Sequence, residues 1–270
     1  MTADPEGRPT RSGSAHGTAR PGPELRAGLR AGTRRYGRPL LETMLMLFPL
    51  APYELLATAS ARRAGDAIRH AEALQAMERQ AHLAVEPHLH RAAAAHPTLM
   101  ALALHYYGVM HFAVTAGAAL LLALCTRARW AATRTAFLVS SLVGVTVFWL
   151  YPVAPPNLLP GTGFGGAATS HPGNPFGAMP SLHVAWALWA AAALVVAAGA
   201  TGGRARTAAL AAGGLHVAIT VLVVLVTGHH WLVDVIGGLV VAGLGAAAGA
   251  AHRLGRWWGA APVPAQRASS

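Results

Sequence analysis

The stretch that decides the fold is Thr227–Asp234, which reads TGHHWLVD and opens an apolar run that continues to about Ala251. Asp234 is the only Asp or Glu within residues 87–270. A carboxylate inside a membrane-length apolar helix costs roughly 2.5–3.5 kcal/mol on insertion scales, so it is expected to have a partner and a task. His230 precedes it by one helical turn and falls on the same face. The stretch therefore predicts a His–Asp pair at the start of a membrane helix.

The His230–Asp234 pair has two interpretations. In the catalytic one, the carboxylate accepts one imidazole N–H, fixes the tautomer and stabilises the ring as it becomes cationic. The other ring nitrogen is then free to act as a nucleophile or a base. In the structural one, the pair only caps the start of a helix.

A second histidine lies in a matching place. Residues 178–183 read AMPSLH, and His183 opens the apolar run Val184–Ala200 after a long loop rich in Gly and Pro. The segment from Val184 to His229 is long enough for two membrane crossings, so the chain returns to the side that it left. His183 and His230 are therefore expected at the same membrane face.

These two motifs, Met-Pro-Ser-Leu-His and Gly-His-His-Trp-x-x-Asp, resemble those of the type 2 phosphatidic acid phosphatase superfamily. The chain looks most like the branch that includes inositol phosphorylceramide synthases, and the resemblance covers roughly residues 45–250. It implies that His230 attacks phosphorus and becomes a phosphohistidine. It further implies that Asp234 orients His230 and that His183 protonates the leaving oxygen.

Four further residues are candidates for substrate binding. The N–H groups after Pro180 and the hydroxyl of Ser181 form a ready anion site at a helix start, and His229 adds a donor or a charge. Asn157 occupies a position where relatives in that branch often have Arg, so a bidentate phosphate clamp is missing.

The missing clamp supports an alternative, a non-catalytic membrane protein that keeps the fold and binds lipid. A serine protease that uses Ser181 is disfavoured, because Asp234 would then have no role.

Composition indicates an integral membrane protein, with 54% hydrophobic and 11% charged residues. All 21 basic residues are Arg, and they are spread along the loops between apolar spans. Positive-inside topology explains them better than nucleic-acid binding does. The single Cys125 excludes an intrachain disulfide within this sequence.

The sequence predicts an all-α bundle of about six transmembrane helices. We assign residues 1–39 to a disordered basic tail, 40–256 to a membrane phosphatase or phosphotransferase domain, and 257–270 to a short flexible tail. Residues 40–59 are interpreted as a retained first span. The alternative is a twin-arginine signal peptide, but Glu42 and Glu54 interrupt its apolar core.

Residues 62–96 predict an amphipathic interfacial helix. Its apolar face is assigned to Ile68, Ala71, Leu74, Met77, Ala81, Val85 and Leu89. The segment also carries four histidines, which we interpret as solvated interface residues rather than metal ligands: His70, His82, His88 and His90.

The loop of residues 152–180 is dense in Gly and Pro and is predicted to form a wall of the active site. Six crossings with a cytoplasmic tail place this loop, His183 and His230 on the extracytoplasmic face of the cell membrane. The expected substrate is a lipid phosphate or lipid pyrophosphate. No metal or other cofactor is expected, no oligomeric state is predicted, and hydrolysis and head-group transfer both remain open.

Overall fold

The computed structural model describes residues 37, 40–44, 46, 62–164, 174–199 and 202–259. Within these residues the fold is all-α, as predicted, and the only β feature is an isolated bridge between Val153 and Gly177. Most of the two predicted tails and most of the predicted span at 40–59 lie outside the described residues, and the last helix continues to Gly259, three residues into the predicted second tail.

Among the described residues from 62 onward, two helices precede a bundle of five others. In chain order the helices are α1 (Ala64–Gln80), α2 (Glu86–Ala94), α3 (Pro97–Cys125), α4 (Arg127–Leu150), α5 (Leu182–Ala198), α6 (Gly203–Val226) and α7 (Leu232–Gly259). Within the described part of the chain, α3, α4, α6 and α7 are long and apolar enough to cross a membrane. Helix α5 has 17 residues, which is at the lower end of the length that a crossing needs.

The amphipathic segment forms two helices and not the single helix predicted over 62–96. The chain turns between α1 and α2, where His82 adopts a positive φ of 57°. The buried face of α1 also differs from the prediction, because Met77 is 45% exposed whereas Glu78 is completely buried. The buried positions are Ala67, Ala71, Leu74 and Glu78.

Close helix contacts in the bundle depend on glycine. Helix α4 packs along α7, where a Cβ on Gly245 would overlap the Ser140 hydroxyl and the Ala136 carbonyl. One turn later, a Cβ on Gly249 would lie 2.7 Å from the Ala132 carbonyl oxygen. Such Gly-x-x-x-Gly spacing allows helix backbones in membranes to approach closely.

The connection between α4 and α5 folds back over the end of the bundle. The Val153 N–H donates to the Phe176 carbonyl at 2.8 Å, and the Ala178 N–H donates to the Val153 carbonyl at 3.2 Å. The Ala154 N–H donates to the Ala67 carbonyl of α1 at 3.0 Å. These bonds join the two ends of the connection to each other and to α1.

Candidate active site

The turn between α6 and α7 presents two adjacent histidines. Helix α6 ends at Val226, and Gly228 adopts a φ of 69°, the left-handed conformation that commonly terminates helices. Helix α7 begins at Leu232, so His229 and His230 lie in the short turn between two antiparallel helices. Both side chains are buried.

The orientation of His230 is set chiefly by a backbone carbonyl. His230 Nδ1 lies 2.7 Å from the Ala178 carbonyl oxygen, whereas it lies 3.5 Å from Asp234 Oδ2. Because a carbonyl can only accept, Nδ1 carries the proton in this arrangement. Nε2 is buried and has no hydrogen-bond partner among the described residues, so its lone pair faces the site.

One carboxylate oxygen of Asp234 makes two contacts, one for each interpretation of the His230–Asp234 pair. Its Oδ2 accepts a hydrogen bond from the Trp231 N–H at 2.8 Å, which caps the start of α7. The same oxygen lies 3.5 Å from His230 Nδ1, the contact that the catalytic interpretation requires. Asp234 is completely buried, and its Oδ1 has no hydrogen-bond partner among the described residues.

His183 lies opposite His230, as the topology predicts. The two ring centroids are 5.9 Å apart with an edge-to-face orientation. His183 stacks on Tyr107 at 4.1 Å, and its Nε2 has no hydrogen-bond partner among the described residues. The two imidazoles therefore direct unpaired nitrogens into the same region.

A close approach between α5 and α7 holds the two histidines together. The Ser181 N–H donates to the Asp234 carbonyl at 2.9 Å. A Cβ on Gly238 would collide with the Ser181 carbonyl oxygen, and a Cβ on Gly237 would lie 3.0 Å from Pro180 Cβ. Glycine at these two positions lets the start of α5 reach the first turn of α7.

A cavity of about 40 Å³ lies between the histidines. It has room for about three water molecules, so it suits a phosphate-sized group and not a lipid tail. Its lining includes three imidazoles, one amide and no Arg among the described residues: Tyr107, Phe148, Pro155, Leu158, Asn174, Pro175, Gly177, Ala178, Leu182, His183, His229 and His230.

The remaining predicted substrate residues differ in their positions. His229 lines the cavity, and its Nδ1 lies 2.7 Å from the Thr227 hydroxyl. Ser181 is fully buried, and its hydroxyl oxygen accepts from the Val184 N–H at 3.4 Å as the cap of α5. Neither Pro180 nor Asn157 lines the cavity, and Asn157 Oδ1 is buried without a hydrogen-bond partner among the described residues. Their roles in substrate binding stay predictions.

Sequence reasoning missed Tyr107, which separates His183 from His229 by stacking on both, at 4.1 and 3.9 Å. Tyr107 lies in a π-helical turn, Tyr106–Met110, within the long apolar span α3. Such turns often occur at functional sites, but span hydropathy does not reveal them.

Sequence reasoning also missed two buried carboxyl groups, Glu78 and Glu86, which contact the start of α7. The buried positions of α1 end at Glu78 with regular helical spacing, and this spacing was the available signal. Glu86 carries no comparable signal.

The described residues contain no group of three or more His, Cys, Asp or Glu side chains that could hold a metal ion. Two of the interfacial histidines, predicted to be solvated, bind backbone carbonyls. His70 Nδ1 lies 2.8 Å from the Pro152 carbonyl oxygen, and His90 Nδ1 lies 2.7 Å from that of Val226. These histidines fasten the surface helices to the connection and to the end of α6.

Comparison with known proteins gives one match. A family model described as the PAP2 superfamily matches residues 72–248, well over half of the chain. The match includes His183, His230 and Asp234. No curated protein and no solved structure matches the chain.

Proposed function

Because this chain belongs to the PAP2 superfamily, we propose that it is an integral membrane phosphatase or phosphotransferase that acts on a lipid-linked phosphate ester through a phosphohistidine. Membership of the superfamily indicates phosphatase-type chemistry, and the four apolar helices indicate membrane integration. The lipid substrate, the covalent intermediate and the inositol phosphorylceramide synthase-like branch are part of the proposal.

The observation that carries the proposal is the pair of unpaired imidazole nitrogens beside a phosphate-sized cavity. His230 Nε2 has its lone pair available, since Nδ1 donates its proton to the Ala178 carbonyl at 2.7 Å. A nucleophile oriented through its second nitrogen follows the logic of activated residues in covalent catalysis. His183 is the partner acid, because its ring lies on the other side of the same cavity.

The proposed reaction has two steps. In the first, His230 Nε2 attacks phosphorus, the bond from phosphorus to the ester oxygen breaks, and that oxygen takes a proton from His183. In the second, water or an alcohol attacks the phosphohistidine, gives its proton to His183, and releases His230. Water yields free phosphate and an alcohol yields a new phosphate monoester, so the acceptor distinguishes phosphatase from phosphotransferase.

Asp234 stabilises the imidazolium character that develops on His230 during the first step, because its carboxylate faces the ring at 3.5 Å. Charge on the phosphate is met by protonated histidine and by backbone N–H groups, since the lining contains no Arg among the described residues. The lipid tail lies outside the small cavity, against the apolar helices. The site is proposed to face the extracytoplasmic side of the cell membrane.

The decisive experiment is to trap the phosphoenzyme. Purified protein incubated with a lipid phosphate labelled with ³²P and quenched in alkali is expected to carry label that acid removes. The label should be absent from His230→Ala and present in His88→Ala, which changes an exposed histidine of α2. Labelling of His230→Ala would disprove the phosphohistidine at this position. Absence of both label and turnover in the wild type would favour the alternative, a non-catalytic lipid-binding protein.

A further inference from the structure

Two glutamates of the surface helices, Glu78 and Glu86, are completely buried against the start of α7. Glu86 Oε1 accepts a hydrogen bond from the Leu232 N–H at 2.6 Å. Glu78 Oε1 accepts from the Val233 N–H at 2.8 Å. The first N–H groups of a helix have no partner within the helix, so side chains from elsewhere must satisfy them.

The adjacent N–H group has its own carboxylate, because Trp231 donates to Asp234 Oδ2 at 2.8 Å. Three successive N–H groups therefore bind three different carboxyl groups. A helix start provides only about half a positive charge, and no Arg pairs with Glu78 or Glu86 among the described residues. Three buried negative charges would repel one another strongly at this position.

A proton shared between the two glutamates removes one of these charges. The second oxygens of Glu78 and Glu86 receive no N–H or hydroxyl hydrogen bond from the described residues. Glu86 is close enough for its charge to act on Glu78, so a proton on one of the two carboxyl groups relieves their repulsion. Glu78 is faced by Glu86 from α2 and by Asp234 from α7, and Asp234 in turn faces His230.

The titration of Glu78 agrees with this arrangement. Burial raises the pKa of Glu78 to about 8. The hydrogen bond from the Val233 N–H lowers this pKa, whereas the neighbouring Glu86 and Asp234 raise it further. Glu78 therefore holds its proton at neutral pH and loses it on the alkaline side.

We propose that Glu78 and Glu86 form a proton-sharing carboxyl pair that positions the His230–Asp234 turn for phosphoryl transfer. Neither glutamate lines the cavity, so the pair acts through the first turn of α7. Loss of its proton places a further negative charge beside Asp234 and loosens the turn that aims His230. The positioning role rests on the proposed function, whereas the shared proton does not.

The test compares Glu78→Gln with Glu78→Ala. Glutamine keeps an oxygen that accepts from Val233 and gains an N–H that donates to Glu86, so it imitates the protonated acid permanently. We expect Glu78→Gln to keep kcat near neutral pH and to abolish the fall in activity centred near pH 8, measured with short-chain phosphatidic acid in detergent micelles. Glu78→Ala should lower kcat by about 10²-fold, as small misplacements in active sites do.

Glu86→Gln should behave like Glu78→Gln, and Glu72→Gln, at an exposed position of α1, should match the wild type.

The thermal midpoint measured against pH tests the shared proton without any turnover. A carboxyl group whose pKa is raised by folding contributes stability that is complete below its unfolded value and is lost as the pH rises through about 8. The midpoint of the wild type should therefore fall by several degrees more than that of Glu78→Gln between about pH 5 and 9. Parallel curves would overturn the shared proton. If the midpoints of the wild type and Glu78→Gln diverge but their pH–rate profiles are identical, the positioning role is overturned. A wild type without turnover would overturn both the positioning role and the proposed function.

Discussion

At the scale of single residues, the two contacts of Asp234 can be separated by substitution. Asparagine keeps an oxygen that accepts from the Trp231 N–H but removes the charge that faces His230. We expect Asp234→Asn to fold with nearly unchanged stability and to lose about 10²–10⁴-fold in kcat, since the imidazolium loses its counter-charge. Activity on a lipid phosphate and the thermal midpoint, measured on the same preparation, check this.

Asp234→Ala is the matched comparison. It removes the helix cap as well as the charge and should therefore cost about 1 kcal/mol more in stability than Asp234→Asn. Wild-type activity in Asp234→Asn would contradict an electrostatic role and leave only the structural cap.

The residue scale also shows where sequence reasoning stops. His183 and His230 could be placed together, because each precedes an apolar run and two crossings separate them. The acceptor of the His230 proton could not be predicted, since Ala178 presents a backbone carbonyl, which every residue has. The helical spacing of α1 points to Glu78, but its partner, the Val233 N–H, is 155 residues away in the chain and could not be predicted.

At the scale of helices, hydropathy predicted the long spans well but not their local geometry. A π-helical turn leaves the composition of α3 unchanged and yet brings Tyr107 between His183 and His229. The break at His82 was missed for a similar reason, because the apolar spacing continues across it. Tertiary contacts decide both features, so a single sequence gives little indication of them.

Packing between α4 and α7 gives a prediction at this scale. Gly245→Ala places a methyl group into the Ser140 hydroxyl and the Ala136 carbonyl, so we expect a loss of about 1–3 kcal/mol of stability from overpacking. Thermal unfolding in detergent measures the change.

Gly243→Ala is the control on the same helix, because no atom lies within 4 Å of its added Cβ. It should be neutral or stabilising by up to about 1 kcal/mol, since alanine is the better helix former. Equal destabilisation by both substitutions would show that α7 does not pack on α4 through Gly245.

At the scale of the whole molecule, the predicted orientation places the Arg-rich ends of the helices in the cytoplasm and the histidines outside. In a Cys125→Ser background, a cysteine at Pro160 should react with a membrane-impermeant thiol reagent in intact cells, and one at Gly203 should react only after lysis. Both positions are exposed, so access to the reagent depends on the side of the membrane. The reverse labelling pattern would show that the histidines face the cytoplasm.

The hydrogen bonds between the surface helices and α7 also affect how the protein is made. Glu86 and Glu78 are separated from their donors by 146 and 155 residues of chain. As the protein leaves the ribosome, both glutamates emerge long before the N–H groups of Leu232 and Val233 exist. A chain that ends with α6 therefore lacks both His230 and the N–H groups that these two carboxyl groups bind. Synthesis of the residues after α6 thus supplies His230 and the partners of both buried acids in one event.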